Sequence, residues 1–172
     1  MTRVILVSDA EAKGEAQAVF KNFMEKQGSV PTWARVMAHR QEILTPFAQL
    51  VSMTMGPGLV EQDNKWKMAY RVSHLNKCAY CISVVETMLA KMGVTKEEMA
   101  DVVQNVDNLK PDEQIAVKYA EAITKEAANI PETVYFELKK FYTEDQLVEI
   151  TAVAGLFNYI NRFNDALGVI PG

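Results

Sequence analysis

With 172 residues, of which 49% are apolar and 23% charged, the chain has the length and composition of one folded domain with a substantial core. Its formal net charge of −4 and its lack of a basic cluster argue against a nucleic-acid partner and against an anionic membrane surface. No apolar run approaches the ~20 residues that span a bilayer, and the first residues do not resemble a signal peptide. We therefore expect a cytoplasmic protein with no membrane partner.

The hydrophobic pattern predicts an all-α domain, because apolar residues recur at three- and four-residue steps and no segment alternates as a strand does. Glycines, prolines and capping boxes divide this pattern into about eight helices followed by a long last one. In order, we predict an arm or strand at 3–7, a helix from Asp9 to Gly28, a helix from Pro31, helices at 42–55, 59–75 and 78–92, a helix from Thr95, a helix at 111–127, a helix from Pro131, and a long helix from Thr143 to Gly168. Residues 1–172 are expected to form a single domain, with an N-terminal arm and helix in 1–30 and the core in 31–168.

Both cysteines of the chain, Cys78 and Cys81, lie in a C-x-x-C spacing at the start of the predicted cysteine helix. Positions i and i+3 of a helix share a face, so two such thiols can cycle between dithiol and disulfide. The thiolate is the nucleophilic form, and the positive end of a helix favours it. In a reducing compartment this pair is more typical of redox chemistry or metal binding than of a structural disulfide.

Other interpretations of the pair are weaker but remain open. The cysteines could be two small buried apolar side chains that happen to lie three residues apart. A zinc site would have only His39 and His74 as further soft ligands, and their spacing matches no common zinc finger. A thioredoxin-like site would need a strand before the motif, and none is predicted. We therefore expect no metal and no cofactor.

His74 lies four residues before Cys78 and is the nearest candidate base. In a continuous helix, His74, Cys78 and Cys81 would share a face about 60° wide, and the imidazole could accept a thiol proton. A break at Asn76-Lys77 would instead turn His74 away and leave it an ordinary histidine at a helix end. The sequence leaves both interpretations open.

The segment Asn76–Cys81 (NKCAYC), followed by a helix that ends at Gly93-Val94-Thr95, resembles the core of the alkyl hydroperoxidase D and carboxymuconolactone decarboxylase superfamily. Weaker matches to its peroxidase-related branch extend the resemblance from about Pro31 onward; they are Met37–Arg40, Val72-Ser73, Lys118–Ala120 and Asn158–Gly168. The resemblance implies an all-α, hydroperoxidase D-like fold that assembles into a homo-trimer or a homo-hexamer.

The resemblance also implies peroxide reduction by the cysteine pair. In the family, the second cysteine attacks the peroxide and becomes a sulfenic acid, which the first cysteine converts to a disulfide. Carried over to this chain, Cys81 attacks and Cys78 resolves. The implied partners are a peroxide or another small-molecule substrate and a dithiol reductant such as a lipoyl-type carrier.

Two positions depart from the family pattern. The family's active peroxidases carry a histidine four residues after the second cysteine and a glutamate twelve before the first, and these positions are Val85 and Trp66 here. The missing pair forms a proton relay, and general acid–base help of this kind contributes about 10²–10⁴-fold. Glu86 lies about 140° away from the cysteine face of a helix, so His74 is the better predicted substitute.

The sequence thus predicts a thiol-dependent oxidoreductase, a peroxide-reducing antioxidant enzyme that uses Cys81, Cys78 and His74. Two alternatives remain: a cofactor-free enzyme similar to carboxymuconolactone decarboxylase, which would not need the cysteines, and a non-catalytic redox-sensing helical protein.

Several further side chains are assigned structural roles. Trp33 and Trp66 are predicted to anchor the core or a subunit contact. Asn158, Asn161 and Arg162 form one polar strip on the last predicted helix, and we interpret this strip as a structural tie.

Overall fold

The computed structural model describes residues 2–171 and confirms the all-α prediction: within that range it has nine α-helices, three short 3-10 turns and no strand. The helices are α1 (Gly14–Gln27), α2 (Thr32–Met37), α3 (Gln41–Met55), α4 (Gln62–Asn76), α5 (Ala79–Lys91), α6 (Lys96–Gln104), α7 (Pro111–Glu126), α8 (Glu132–Leu138) and α9 (Glu144–Leu167). None of these helices is both long and apolar enough to cross a membrane.

The predicted helix ends are largely confirmed because they depend on local chemistry. Both capping boxes form: the Thr95 side chain accepts a hydrogen bond from the Glu98 backbone N–H, and the Thr143 side chain accepts one from Gln146. Gly28 ends α1 in the left-handed conformation, with φ 74°.

Two helix starts differ from the prediction. The first helix begins at Gly14 instead of Asp9, because the turn in which the Ser8 N–H and hydroxyl donate to the Glu11 carboxylate ends at Lys13, which is extended with φ −131° and ψ 161°. The fourth begins at Gln62 instead of Leu59, because the backbone N–H of Leu59 donates to Glu149 of α9 at 2.8 Å.

Helix α4 is the centre of the molecule and packs against α5, α7 and α9. Met68, Ala69 and Val72 are fully buried on it, as are the side chains of two lysines. Lys65 donates to the Gly56 carbonyl at 2.8 Å and forms an ion pair with Glu149, which fixes the Gly56–Gly58 segment against α9. A buried charge is tolerated only when it is paired in this way, so α4 is held in a defined position and orientation.

The second lysine, Lys67, lies at the other edge of α4. Its ammonium group contacts Glu113 of α7 at 3.0 Å and Asp63 at 3.2 Å. Together the two buried lysines tie α4 to both of its long neighbours, and the segment that follows α4 carries the cysteines.

Candidate functional site

The site begins at the turn that ends α4 and starts α5. Lys77 adopts the left-handed conformation at φ 61°, and among residues 2–171 it is the one non-glycine residue with a positive φ. The Lys77 N–H donates to the His74 carbonyl and the Cys78 N–H donates to the Ser73 carbonyl, each at 3.1 Å, which is the hydrogen-bond pattern of a Schellman motif. A side chain in this conformation costs roughly 1 kcal/mol, so the surroundings must hold the turn.

Polar side chains on α9 hold this turn. Asn76 donates to the side-chain oxygens of Asn158 at 3.1 Å and Asn161 at 3.0 Å, and Asn161 in turn donates to the Ser73 hydroxyl at 3.3 Å. Asn161 and Ser73 are fully buried. Asn158 and Asn161 of the predicted polar strip therefore tie α9 to the turn that positions the cysteines, whereas Arg162 is exposed and bonds only Asn158 of its own helix.

Cys78 and Cys81 are brought together at the N-terminal end of α5. Cys78 is the N-cap residue and Cys81 is the third residue of the helix, and both are free, buried thiols. The two thiols lie close enough to shift each other's pKa. The sequence prediction that the pair lies in the first turn of a helix agrees with this placement, and the helix N-terminus favours negative charge there.

The surroundings shift the pKa values of the two thiols in opposite directions. The hydrogen bond that Cys78 donates lowers the pKa of Cys81, with further help from the side chains of Asn164 and Asn161, against the opposing effect of burial. The same hydrogen bond and burial raise the pKa of Cys78. Asn164 of α9 donates its Nδ2–H to the Cys81 sulfur at 3.2 Å. Cys81 is thus the thiol that ionises first.

Cys81 lines a small cavity between α2, α3, α4, α5 and α9, with a volume of about 80 Å³, which we call the Cys81 cavity. Its wall is mainly apolar and aromatic, with Trp33, Phe47, Trp66, Leu156, Phe157 and Ile160. Asn164 also lines it. Tyr80 does so too, and burial raises the pKa of its hydroxyl. The Cys81 sulfur therefore faces a mainly apolar space.

His74 lies elsewhere. It lines an open groove of about 840 Å³ formed mainly by α4, α5 and α6, together with Tyr70 and Glu86, and we call this the His74 groove. Its ring packs edge-on against Tyr70 at 4.5 Å, and Tyr70 donates its hydroxyl proton to Glu86 at 2.6 Å. Burial lowers the pKa of His74.

The left-handed turn at Lys77 explains this separation. A continuous helix would have placed His74 and both cysteines on one face, but the turn changes the direction of the chain between them. The structure brings Cys78 and Cys81 together and does not bring His74 into the Cys81 cavity. That His74 serves the cysteines stays a prediction, without support from its position.

Val85 and Trp66, which stand where the family's active peroxidases carry the histidine and glutamate of the proton relay, have different surroundings. Val85 is fully buried in the core. Trp66 lines the Cys81 cavity and meets Phe157 edge-to-face, with ring centroids 6.0 Å apart. Sequence reasoning treated Trp66 as an anchor and did not single out Asn164. A usable signal was present, since Asn164 follows Asn161 by three residues and therefore continues the polar strip along one helix face.

No group of three or more His, Cys, Asp or Glu side chains that could hold a metal ion occurs in residues 2–171. The side chains around Cys81 suit a small organic molecule instead, because small-molecule sites combine apolar walls with a few polar groups.

Comparison with known proteins finds a family model and related proteins that match this chain. A model of the carboxymuconolactone decarboxylase family matches residues 42–122, a range that contains Trp66 and both cysteines. The uncharacterized protein YdfG of Bacillus subtilis (strain 168) is 30% identical over 101 residues, and the match covers 57% of this chain and 69% of YdfG. The chain belongs to the carboxymuconolactone decarboxylase family. Family membership confirms the resemblance seen in the cysteine segment.

Solved structures of similar proteins support the fold assignment within the family. A peroxidase-related protein from Ralstonia eutropha JMP134 with an alkylhydroperoxidase AhpD core has a TM-score of 0.89 at 19% identity, with 99% of this chain and 92% of that chain covered. The debrominase Bmp8 has a TM-score of 0.85 at 22% identity, with 98% and 92% covered. At these identities the similarity establishes a shared AhpD-like fold.

Proposed function

We propose that this protein is a thiol-dependent oxidoreductase that reduces small peroxides through a Cys81/Cys78 dithiol–disulfide couple. The observation that carries the proposal is that the pKa values of two adjacent free thiols are shifted in opposite directions, and that the more acidic thiol, Cys81, lines a cavity. A nucleophile must be ionised, and a resolving thiol must stay protonated until it is needed. Membership in a family that includes peroxidase-related proteins agrees with this assignment.

The reaction proceeds in two steps. The Cys81 thiolate attacks the terminal oxygen of ROOH, the O–O bond breaks, the sulfur becomes a sulfenic acid, and RO⁻ takes a proton to leave as ROH. Cys78 then attacks the Cys81 sulfur, the S–S bond forms, and the sulfenic hydroxyl leaves as water. In total the two thiols give up two electrons and the peroxide is reduced to ROH and water.

A dithiol must then return the disulfide to two thiols. We infer that this reductant is a slender carrier of the lipoyl type, since both cysteines are buried and the cavity beside Cys81 is small. Thiol–disulfide exchange through a mixed disulfide would regenerate Cys81 and release the oxidised carrier.

We also propose that the protein is a homo-oligomer, a trimer or a hexamer. Helix α3 exposes Ile43, Leu50 and Met53, the last with 80% of its surface accessible, along one side of the helix. Exposed apolar rows of this kind are typical of subunit contacts. Light scattering of the purified protein tests the proposal, and a monomeric mass would reject it.

Reductive dehalogenation is a second candidate. It is favoured by the apolar, aromatic wall of the Cys81 cavity, which would accept a halogenated organic molecule, and by the shared fold with the debrominase Bmp8. The same thiol pair would supply the electrons: R–X and two thiols would give R–H, one disulfide and HX. The hydrogen of R–H would arrive as a proton, and because no histidine or carboxylate among residues 2–171 lines the cavity, that proton would come from a thiol or from water.

The decisive experiment follows thiol oxidation in the reduced protein after addition of ethyl hydroperoxide, with dihydrolipoamide as reductant in a parallel turnover assay. We expect an intramolecular disulfide and repeated turnover in the unaltered protein. The Cys78→Ser variant should stop at a sulfenic acid that dimedone traps. The Cys81→Ser variant should react at least about 100-fold more slowly, because it lacks the ionised thiol.

Other outcomes point to the alternatives. One round of oxidation without turnover would indicate a redox sensor. An organic halide that oxidises the pair faster than any peroxide would favour dehalogenation. A decarboxylase-like activity that survives replacement of both cysteines by serine would overturn the proposal altogether.

A further inference from the structure

Two buried polar atoms without a protein partner lie on side chains of the Cys81 cavity. Within residues 2–171, the indole Nε1–H of Trp66 and the Oδ1 atom of Asn164 are both buried and have no hydrogen-bond partner. Both side chains line the cavity that Cys81 lines. A buried polar group without a partner costs about 1–3 kcal/mol, so such groups usually have a function.

The two atoms are complementary. The Trp66 indole can only donate a hydrogen bond, and the Asn164 carbonyl oxygen can only accept one. The orientation of the Asn164 amide is fixed by its other end, because Nδ2 donates to the Cys81 sulfur at 3.2 Å. A molecule that carries an acceptor and a donor close together would satisfy both atoms at once, while its apolar part contacts the aromatic wall.

We propose that Trp66 and Asn164 form the polar half of the substrate site, and that the site selects a small hydroperoxide. The Trp66 N–H donates to a peroxide oxygen, and the Asn164 Oδ1 accepts the hydroperoxide O–H. This assignment rests on the proposed function of Cys81 and adds to it the binding groups and a size limit on the hydroperoxide.

The size of the cavity limits the substrate. Its volume of about 80 Å³ is roughly half of the ~150 Å³ of an engineered protein cavity that binds benzene. Hydrogen peroxide and ethyl hydroperoxide fit this space, and cumene hydroperoxide does not. We therefore expect the rate to fall steeply with the size of the alkyl group.

Trp66 also takes over part of the task of the missing relay. When the O–O bond breaks, negative charge develops on the oxygen that leaves as RO⁻, and a hydrogen-bond donor in an apolar cavity stabilises such charge. A neutral indole N–H can stabilise this charge by donating a hydrogen bond, although it does not transfer its proton to the oxygen. It occupies the sequence position at which the family's active peroxidases carry their glutamate.

The test compares two electrophiles that need the same thiolate. Ethyl hydroperoxide can form both hydrogen bonds, and methyl iodide, of similar size, can form neither. We expect Trp66→Phe to lower the rate of Cys81 oxidation by ethyl hydroperoxide about tenfold, the effect of one hydrogen bond to developing charge, and to leave methylation within about twofold. The control is Tyr70→Phe, which removes an aromatic hydrogen-bond donor from the His74 groove, outside the Cys81 cavity, and should leave both rates within about twofold.

A second measurement does not depend on turnover. The chain has two tryptophans, so the ¹H–¹⁵N spectrum has two indole signals, and the Trp66→Phe variant identifies the one from Trp66. In the Cys81→Ser protein, titration with ethyl hydroperoxide should move the Trp66 signal in a saturable manner. An N–H that points at the Phe157 ring instead would give a signal that does not respond.

The outcomes separate the two proposals. Equal losses with both electrophiles in Trp66→Phe, or no loss with either, would overturn the role of Trp66 and leave the thiol chemistry intact. If the unaltered protein forms no disulfide with peroxide, the proposed function fails. In that case the indole titration alone tests whether Trp66 and Asn164 bind ethyl hydroperoxide. A saturable shift of the Trp66 signal would support the binding role of the pair, and a signal that does not move would contradict it.

Discussion

The Cys81 cavity and the His74 groove, which lie on either side of α5, differ in size and in the ionisable groups that line them. The Cys81 cavity is small and mainly apolar, about 80 Å³, and is lined by Cys81, the proposed nucleophile, and by Asn164. The His74 groove is open, about 840 Å³, and holds the ionisable groups His74, Glu86 and Tyr70. His74, Glu86 and Tyr70 therefore lie apart from the thiol that would attack the substrate, whereas the Asp165 carboxylate lies close enough to raise the pKa of both thiols.

This difference teaches how a thiol can be made more acidic without a histidine beside it. The pKa of Cys81 is lowered by hydrogen bonds from Cys78 and Asn164, and its place at a helix N-terminus also favours the charged form, whereas burial and the Asp165 carboxylate oppose the shift. A relay would move the thiol proton during each turnover, whereas this arrangement favours the ionised thiol before the substrate binds. The comparison predicts that changes in the Cys81 cavity alter thiol chemistry and that changes in the His74 groove do not.

The largest expected effect is the difference in reactivity between the two cysteines. At pH 7, Cys81 should react with iodoacetamide roughly 100-fold faster than Cys78, because its pKa is lowered while that of Cys78 is raised and each pKa unit changes the thiolate fraction about tenfold. Trypsin cleavage after Lys77 and Lys91 releases both cysteines in one peptide, and tandem mass spectrometry locates the first label. Preferential labelling of Cys78 would reverse the proposed roles of the two thiols.

The next effect concerns the hydrogen bond from Asn164. Asn164→Leu should raise the pKa of Cys81, since it removes a donor to the thiolate, and should slow methylation of Cys81 by methyl iodide at pH 7 about tenfold. The rate should recover as the pH rises and Cys81 ionises. The control is Asn158→Leu, which removes an asparagine of the same helix that bonds Asn76 and Thr124 but not the sulfur. An equal loss in both variants would mean that the effect comes from the turn rather than from the thiolate.

Much of the fold could be predicted from the sequence because its signals are local. The capping boxes at Thr95 and Thr143, the left-handed Gly28 and the break at Gly56–Gly58 each depend on a few adjacent residues. The placement of Cys78 and Cys81 at a helix start followed from the same kind of signal.

The surroundings of the thiols could not be predicted because they depend on distant contacts. Asn164 reaches Cys81 across 83 residues of sequence, and its role follows from how α9 packs on α5. The direction of His74 depends on a left-handed Lys77, a conformation for which glycine is the usual residue and which the polar side chains of α9 hold in place. A helical wheel drawn through Asn76-Lys77 would have joined His74 to the cysteines.

A smaller effect is expected in the His74 groove itself. Burial lowers the pKa of His74 in the folded protein below its unfolded value of about 6.5, although Glu86 opposes this shift and Arg71 adds to it. Between the two pKa values the unfolded chain binds more protons, so stability falls as the pH is lowered through about 6.5. Relative to pH 7.5, the unaltered protein should lose about 1–3 °C more in Tm at pH 5.5 than His74→Gln does. Parallel curves for the two proteins would show that His74 is not buried as described.

The smallest expected effect is that of His74→Ala on the thiols. Its imidazole lies in the His74 groove, packed on Tyr70, and the turn at Lys77 separates it from the Cys81 sulfur. We therefore expect the pH profile of Cys81 alkylation, and the rate of peroxide reduction, to stay within about twofold of the unaltered protein. Asn164→Leu serves as the positive control in the same assay. If His74→Ala instead moved the Cys81 profile to higher pH as far as Asn164→Leu does, the imidazole would be acting on the thiol after all. The two spaces would then form one site, and the substitute-base role predicted from the sequence would be restored.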